Sequence, residues 1–336
     1  MKKSIFLSFI LCLCLIACIP QQVMAQKQSR MEKLLRYLND NDADKWQKNR
    51  EKLDDETKAY YAEDLSLMDV LNDLWNGQSE QAATLYFGCY EKAAQSNFPG
   101  ICEGEKIPLS QIRDKADQSI INLLEASKDK IPFSRALLDS IHATEYPVDS
   151  AMLQRLQNIR EVALLEGMLK TPTPIIYQTY VKEYPNGKFI AQVNASENVR
   201  LYQLVKTAPT PANFKAFFED PEMQKYYQDR GPRPYLAEVR TLYDDFLFQR
   251  IDSLKKEGNA TAIRQIIDDY KNTPYLSTGA RTHLNDLEYL SEKADFELLK
   301  PAIVNSESLG LLQEFLKTHK YKEFRDQAKN LRAPFI

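Results

Sequence analysis

The sequence is poor in glycine and histidine, with 10 glycines and three histidines among 336 residues. The glycines form neither a Gly-x-x-x-x-Gly-Lys-Ser/Thr loop nor a Gly-x-Gly-x-x-Gly run, which excludes the usual phosphate-binding and dinucleotide-binding loops. His142, His283 and His319 lie far apart, and none has the spacing of a zinc-binding motif. We therefore expect no cofactor and no metal, and we expect His142 and His319 to pack within apolar stripes of helices.

An activated nucleophile is also absent from the sequence. No Gly-x-Ser-x-Gly elbow occurs, and no cysteine has a histidine near it in sequence. Carboxylates are abundant, but pairs such as Asp244-Asp245 and Asp268-Asp269 are adjacent, whereas a glycosidase holds two carboxyls at a fixed separation across a cleft. We interpret these pairs as parts of solvated helix faces. The sequence thus predicts a protein that is not an enzyme, and an α/α-toroid carbohydrate enzyme is the weakest alternative.

The chain has no surplus of positive charge. It contains 44 basic and 47 acidic residues, for a net charge of −3. A protein that binds nucleic acid needs a basic surplus on one face to neutralise phosphates. We therefore expect no nucleic-acid partner.

Long apolar runs are missing except at the N-terminus. Basic residues 2–3 precede an apolar run over 5–19, and Val23-Met24-Ala25 supplies small residues at the expected cleavage site. This pattern predicts a signal peptide over residues 1–25 and a mature chain from Gln26. The run is too short to span a bilayer, and no second one follows. We expect an exported protein, in the periplasm or at the outer membrane of a Gram-negative bacterium.

An alternative processing site overlaps this stretch. Leu15-Ile16-Ala17-Cys18 resembles a bacterial lipobox, in which Cys18 is lipidated and becomes the first mature residue. Membrane association is expected only in that case. The normal distance of the Val-Met-Ala site from the apolar run favours cleavage before Gln26.

Only two cysteines follow the predicted signal peptide, Cys89 and Cys102. Two thiols this close in an oxidising compartment often form a disulfide, which would stabilise the fold by about 3 kcal/mol. The alternative is two free thiols. The sequence leaves both open, because the Cα separation decides between them.

Helical periodicity runs through the rest of the chain. Segments 109–124 and 284–298 each place their apolar residues on one stripe with charges opposite, and alternating strand patterns bounded by hairpin turns are absent. The sequence therefore predicts an all-α fold.

A capped helix frame begins at Thr173-Pro174. Threonine is a good N-cap, proline suits the first helical position, and an apolar face follows at +4, +7, +8 and +11. This face consists of Tyr177, Tyr180, Val181 and Tyr184. The helix then ends at Tyr184-Pro185-Asn186-Gly187.

The same frame recurs along the chain. The clearer copies begin at Thr210, Asn259 and Ser308, and weaker copies begin at Ser79 and Ser134. Their +4 positions are residues 83, 138, 177, 214, 263 and 312. Longer second helices are predicted over 189–206, 233–256, 276–300 and 321–331. Pairs of amphipathic helices bury their apolar faces by stacking, so the pattern predicts an irregular α-α superhelix, or solenoid.

The predicted organisation has two parts after the signal peptide. Residues 26–130 fit the frame less well and form an N-terminal helical region, with Phe98 to Pro108 as its clearest break. Residues 131–336 form the helical-repeat array. We place the boundary in 130–150, where Pro132 and Pro147 flank a short helix, and the alternative is a kink within one array.

The stretch from Tyr177 to Phe189, with its Tyr-Pro-x-Gly turn, resembles divergent tetratricopeptide-like repeats of bacterial envelope proteins, including outer-membrane assembly lipoproteins. The match covers residues 173–206, and weaker similarity continues to residue 330. The resemblance implies an interaction scaffold whose partner is another envelope protein.

Tyrosine is abundant, with 18 residues. Most of those in the frame lie on buried stripes, whereas Tyr226, Tyr227 and Tyr235, around Gly231-Pro232, fall outside a clean stripe. We take these three tyrosines, with Arg240 and Arg250 on the following helix, as candidate partner contacts. The first hypothesis is a scaffold for protein–protein interaction, and the alternative is a glycan- or peptide-binding module with an aromatic groove. No particular small-molecule ligand is indicated.

Overall fold

The computed structural model describes residues 23–77, 79–257, 260–271, 273–304 and 306–331. Of the predicted signal peptide it describes only residues 23–25, as the first turn of a helix. Cys18 lies outside the described residues, and so does Asn259, the cap expected for one copy of the frame.

The prediction of an all-α fold is confirmed: within the described ranges every helix is followed by another helix, and no strand occurs. The first helix, α1, is described over 23–39. The others are α2 (Ala43–Glu51), α3 (Asp55–Tyr60), α4 (Ala62–Trp75), α5 (Glu80–Ala94), α6 (Phe98–Glu105), α7 (Leu109–Ala126), α8 (Lys130–His142), α9 (Ser150–Lys170), α10 (Pro174–Glu183), α11 (Ile190–Thr207), α12 (Pro211–Glu219), α13 (Pro221–Tyr227), α14 (Leu236–Lys256), α15 (Ala260–Tyr270), α16 (Thr278–Ala302), α17 (Leu309–Thr318) and α18 (Lys322–Asn330). No helix in the described parts has both the length and the apolar character that crossing a membrane requires.

The chain divides into two compact units, which meet between Ile190 and Ala191. This division does not coincide with the boundary predicted in 130–150. Helix α8, which lies within that segment, packs on α9, which begins at its end, and α8 also packs on α5. Pro132 lies in the first turn of α8, where proline is tolerated.

The first unit is built around one hydrophobic core. Helices α4 and α5 pack along each other, α4 also contacts α7, and α5 contacts α6, α7 and α8. A single cluster of buried side chains extends from Met31 in α1 to Leu156 in α9. The break predicted over 98–108 is wrong, because α6 occupies most of it. Burial of Phe98, Ile101 and Cys102 outweighs the cost of two glycines in that helix.

Polar groups fasten α10 to α9 and α8 in the first unit. Arg160, 2% exposed, donates from Nε and Nη2 to the carboxylate of Glu183 at 2.6 and 2.9 Å, and from Nη1 to the Ile131 carbonyl at 2.7 Å. The Tyr180 hydroxyl donates to Glu161 Oε1 at 2.8 Å and accepts from the Phe189 amide at 3.1 Å. The Tyr-Pro-Asn-Gly turn thus follows a helix that is held by buried hydrogen bonds.

The second unit packs its helices mainly on their neighbours in sequence. Helix α15 contacts α14 and α16, and α16 contacts α17 and α18. The predicted second helices are observed as α11, α14, α16 and α18, with ends within three residues of the expected ones. Neighbour-to-neighbour packing is what the repeat frame predicts. The superhelical path stays a prediction.

Two caps of the clearer copies form as expected, whereas the cap at Ser308 is wrong, because its hydroxyl makes no capping hydrogen bond and accepts from the Val304 amide at 3.1 Å instead. Thr173 accepts a hydrogen bond from the Ile176 amide at 3.2 Å, and Thr210 accepts one from the Asn213 amide at 3.2 Å. The weak copy at Ser134 is wrong, because α8 already begins at Lys130 and Ser134 is buried inside it. For the same reason the prediction that His142 packs within an apolar stripe is wrong, because His142 is exposed at the end of α8.

Candidate functional site

A groove of about 750 Å³ lies in the second unit. Its walls come from the end of α12, from α13, from the loop over 228–235, from the start of α14, and from residues 274–275. Proline, methionine and leucine side chains supply apolar surface between three aromatic rings and three cationic side chains. No carboxylate is among the lining residues that the structure describes.

Helix α13 and the loop after it give the groove its shape. Asp220 caps α13 by accepting from the Met223 amide at 2.8 Å, and Pro221 occupies the first turn. Met223 is fully buried and anchors this short helix. The chain then reverses direction through Gly231, whose φ of 99° suits glycine, and Tyr235, whose φ is 64°. This local sequence therefore places α13 opposite the start of α14.

Arg233 is a fixed part of the groove. Its side chain is 9% exposed, its Nε donates to Asn198 Oδ1 at 2.6 Å, and its Nη1 donates to the Phe217 carbonyl. The guanidinium carbon lies 3.9 Å from the centroid of the Phe217 ring, a cation–π contact. Asn198 in turn donates to the Pro234 carbonyl at 3.2 Å. These contacts preorganise a positive charge whose position does not depend on a ligand.

Two stacked rings form an aromatic wall. The Phe218 and Tyr275 rings lie 4.3 Å apart between centroids, with an interplanar angle of 5°. The Tyr275 hydroxyl donates to the carboxylate of Glu219. Burial and then this hydrogen bond raise the pKa of Tyr275 to about 12, so the phenol stays neutral at physiological pH. The wall is therefore apolar on its face and hydrogen-bonded at its edge.

The groove contains two of the five candidate contacts from the sequence. Tyr227, half-buried, and Arg240, exposed, both line it. Tyr226 instead packs under the guanidinium of Arg230 at 4.4 Å. Tyr235 stacks on the ring of Tyr202 at 4.4 Å and is 40% exposed, and Arg250 is exposed further along α14. These last three residues do not line the groove.

Phe218, Arg233 and Tyr275 are groove residues that sequence reasoning missed. Phe218 and Tyr275 look like ordinary apolar positions near helix ends, and Arg233 looks like one of many surface charges. The available signal is Gly231-Pro232-Arg233-Pro234, because two prolines and a glycine within four residues mark a rigid non-helical segment where side chains are presented to a neighbour.

A charged cleft of about 530 Å³ between α15, α16 and α17 holds His319 and several carboxylates. The His319 ring stacks on Phe315 at 3.8 Å, and its Nε2 lies 3.0 Å from Asp295 Oδ2. Arg264 also binds Asp295, and Glu292 accepts from the backbone amides of Lys320 and Tyr321. We interpret this cluster as structural, because protein partners hold these carboxylates and His319 packs on its helix as expected.

Three of the four carboxylates in the pairs considered from the sequence have structural partners. Asp244 accepts from the Ser277 amide at 3.3 Å, Asp268 pairs with Lys271, and Asp269 accepts from Gln265 at 2.7 Å. Within the described ranges, no three His, Cys, Asp or Glu side chains cluster as metal ligands would.

Cys89 and Cys102 are both free thiols in the structure, the second of the two alternatives left open by the sequence. Cys89 is half-buried on α5, with its Sγ 3.5 Å from Ser66 Oγ. Cys102 is buried on α6, and burial raises the pKa of its thiol to about 12. A thiol with so high a pKa is a poor nucleophile.

Comparison of the chain with protein-family models, with curated proteins and with solved structures gave no match. The resemblance to tetratricopeptide-like repeats therefore rests on the sequence of residues 173 to 206 and stays a prediction.

Proposed function

We propose that this protein is an exported helical-repeat scaffold of the tetratricopeptide-like kind, and that the groove of its second unit binds an extended acidic segment of another envelope protein. The observation that carries the proposal is the lining of the groove. Lys225, Arg233 and Arg240 supply positive charge, aromatic rings lie beside them, and none of the described lining residues carries a carboxylate.

Charge complementarity selects the occupant. An acidic segment brings carboxylates to the cations, and arginine binds carboxylates in a planar two-point geometry. Arg233 loses little conformational entropy when a ligand binds, because Asn198 and Phe217 already hold its side chain in place. A groove with these cations would bind a basic segment poorly, which gives selectivity by repulsion.

Aromatic and proline side chains account for the expected extended conformation. Tyr227, Phe218 and Tyr275 offer large rigid faces that lose little conformational entropy on binding. An extended segment presents alternate side chains to such faces while its remaining carboxylates reach the cations at the rim.

Peptides of equal length and matched aromatic content, in acidic, neutral and basic versions, test this proposal. Fluorescence anisotropy with the full chain should show binding of the acidic version only, and affinity should fall as salt rises. The Arg240→Glu variant should bind at least about tenfold more weakly. Arg250→Glu is the matched control, because Arg250 is exposed on the same helix but outside the groove. Equal loss in both variants, or equal binding of the basic peptide, would contradict the proposal.

Export is proposed from the N-terminal sequence. Mass spectrometry of the protein purified from its own host should give a chain that begins at Gln26. A diacylated or triacylated Cys18 at the N-terminus would instead identify a lipoprotein and place the groove near a membrane surface.

A further inference from the structure

Helix α16 of the second unit leaves an apolar stripe uncovered. The sequence places Leu284, Leu287, Leu290, Ala294 and Leu298 on one side of this helix, and of these five only Leu284 is buried. Leu290 is 56% exposed and Leu298 is 73% exposed, Ala294 is exposed, and Leu287 is half-buried. These four residues, 287, 290, 294 and 298, are called the α16 face below.

The core of the second unit uses the opposite side of α16. Phe296 and Leu299 belong to the cluster that α16 shares with α17 and α18. Glu292, on the same side, accepts hydrogen bonds from the backbone amides of Lys320 and Tyr321. At 3.6 residues per turn these positions lie roughly half a turn away from the α16 face. The helix therefore packs on its neighbours with one side and presents a second apolar stripe outward.

The spacing of the α16 face is that of a helix-pairing surface. Its residues follow one another at intervals of three, four and four, so they form a continuous line of about 16 Å along the helix. Single exposed apolar side chains are common on proteins, whereas a continuous stripe marks a contact surface. Intervals of three and four are also those by which one helix packs along another.

We propose that the α16 face pairs with the α16 face of a second copy of this chain, in antiparallel orientation. Two-fold symmetry then forms every contact twice. With the axis between residues 290 and 294, Leu290 of each copy packs on Ala294 of the other, and Leu287 packs on Leu298 of the other. A large side chain thus meets a small one at the centre, and leucines meet at both ends.

Charges beside the α16 face select this partner and this orientation. Asp286 and Lys300 lie on the same flank of the helix, because 14 residues make nearly four full turns. Asp286 is exposed, and Lys300 pairs with Glu297 of its own helix at 2.7 Å, an exposed contact that exchanges readily with another carboxylate. In an antiparallel pair the same flanks meet, so Asp286 of each copy lies almost level with Lys300 of the other.

A parallel pair lacks this complementarity. It brings the flank of Asp286 and Lys300 against the other flank, where Ser291 and Leu298 lie, so these positions offer the two charges no ion pair. The antiparallel arrangement is therefore the one that the charges favour.

The expected association is weak. Lys293 lies midway between Asp286 and Lys300 on the same flank, and in the antiparallel pair it faces its own counterpart, which opposes the two attractive contacts. The contact also covers only about three turns of helix, less than a standard interface. We expect a Kd of about 10–100 µM. Two copies joined in this way carry two grooves, but the pairing does not rest on the function proposed for them.

Sedimentation velocity of the full chain, over about 5–500 µM, tests the inference. The parent chain should change from monomer to dimer across this range. Leu298→Glu should weaken association at least about tenfold, because it puts two carboxylates into an apolar contact. Leu169→Glu is the matched control, since Leu169 is a 63% exposed leucine of the first unit, and it should associate like the parent. Both leucines are exposed, so thermal unfolding of the monomers should stay close to that of the parent.

Exchange of the two charges tests the partner and the orientation together. Asp286→Lys and Lys300→Asp should each weaken self-association about tenfold, because each replaces two attractions by two repulsions. An equimolar mixture of these two variants should form a heterodimer about as tightly as the parent forms its dimer, and the Asp286→Lys/Lys300→Asp double variant should restore the homodimer. Lys293→Ala should tighten it.

Three results would each overturn the inference. The first is a parent chain that stays monomeric at every concentration. The second is equal association of Leu298→Glu and Leu169→Glu. The third is a failure of both the mixture and the double variant to recover association, which would exclude the antiparallel contact between Asp286 and Lys300.

Discussion

The two units bury the apolar faces of their helices in different ways. In the first unit, buried side chains from α1 to α9 form one continuous core, and helices far apart in sequence touch, as α4 touches α7. In the second unit, helices lie on their sequence neighbours, and α16, α17 and α18 share a small separate cluster. Helices that share one core unfold together, because each loses packing when another is lost. Helices that pack only on their sequence neighbours can unfold locally.

The difference suggests a division of roles. A region of neighbour-to-neighbour packing can add a short helix such as α13 and a loop without disturbing a central core, and the candidate groove lies there. The single core of the first unit instead supports buried polar groups such as Asp117 and Arg160, whose positions need packing on every side.

Truncation of one core side chain in each unit is the strongest test of this comparison. Phe87, fully buried, contacts Tyr146 at 4.9 Å in the first core, and Phe87→Ala should cost about 4 kcal/mol. Hydrogen exchange should then rise throughout the first unit, from α4 to α9. Phe315→Ala, in the small cluster of the second unit, should cost about 3 kcal/mol and raise exchange only in α16, α17 and α18.

An equally local response to both substitutions would remove the distinction between the units. The parent chain under the same labelling conditions is the reference, and the exposed Leu169→Ala variant shows the effect of truncating a side chain that is 63% exposed.

A buried arginine in each unit sharpens the comparison. Arg160→Met should destabilise the first unit by about 3 kcal/mol, because it leaves the carboxylate of Glu183 without its two-point partner. Arg233→Met in the second unit removes bonds to two neutral acceptors, on Asn198 and Phe217, and should cost about 2 kcal/mol. Urea unfolding monitored by circular dichroism measures both.

A double-mutant cycle identifies the source of the larger loss. Glu183→Gln added to Arg160→Met should recover part of the stability, because the unpaired charge is gone. Additive losses in the cycle would show that the charge pair is not what distinguishes the two arginines.

The pH dependence of stability should also differ between the units. The pKa of Asp117 is raised by burial from its model-peptide value of 3.8 to about 6, and burial raises the pKa of Asp64 in the same unit. A raised pKa means that the folded state binds the proton more tightly, so stability is greatest below the unfolded pKa and falls as the pH rises through the folded one. For Asp117 this loss is at most about 3 kcal/mol between pH 4 and 6.

Urea unfolding at several pH values, with probes placed in each unit, checks this expectation. Asp117→Asn should flatten the curve of the first unit and leave that of the second unit unchanged. A parent curve that already rises from pH 4 to 6 in the first unit would contradict the assigned sign.

Sequence periodicity is sufficient to predict the helices, but it does not predict the polar side chains that join one helix to another. The frame predicts α11, α14, α16 and α18 to within three residues, because caps and apolar spacing act locally. It fails at α6, where burial of Phe98 and Ile101 overrides two glycines. It also fails at the start of α8, where tertiary contacts select a different first residue.

The polar contacts and the candidate groove depend on pairings that no local pattern contains. Arg113 and Asp117 have the spacing of an ordinary ion pair on a helix surface, yet Arg113 pairs with Asp114 and Asp117 accepts from the Tyr146 hydroxyl. Arg233 owes its fixed position to Asn198, 35 residues away. The Tyr-Pro-Asn-Gly turn does carry a readable constraint, since a Cβ at Gly187 would collide with the Glu161 carboxylate and the Tyr180 hydroxyl.

The smallest expected effect comes from the caps, which are alike in the two units. Thr173→Ala and Thr210→Ala each remove one hydrogen bond to the first turn of a helix that starts with proline, and each should cost about 1 kcal/mol of stability.

The effects of the two substitutions on hydrogen exchange and on binding should differ, even though their effects on stability match. In the first unit, α10 is also held by Arg160 and by the Tyr180 hydrogen bonds, so its exchange protection should change little. In the second unit, α12 ends at the groove, so loss of the Thr210 cap should raise exchange over α12 and weaken binding of the acidic peptide about threefold, while Thr173→Ala leaves that affinity unchanged. Equal exchange at α10 and α12 in the two variants would show that both units respond to local loss in the same way.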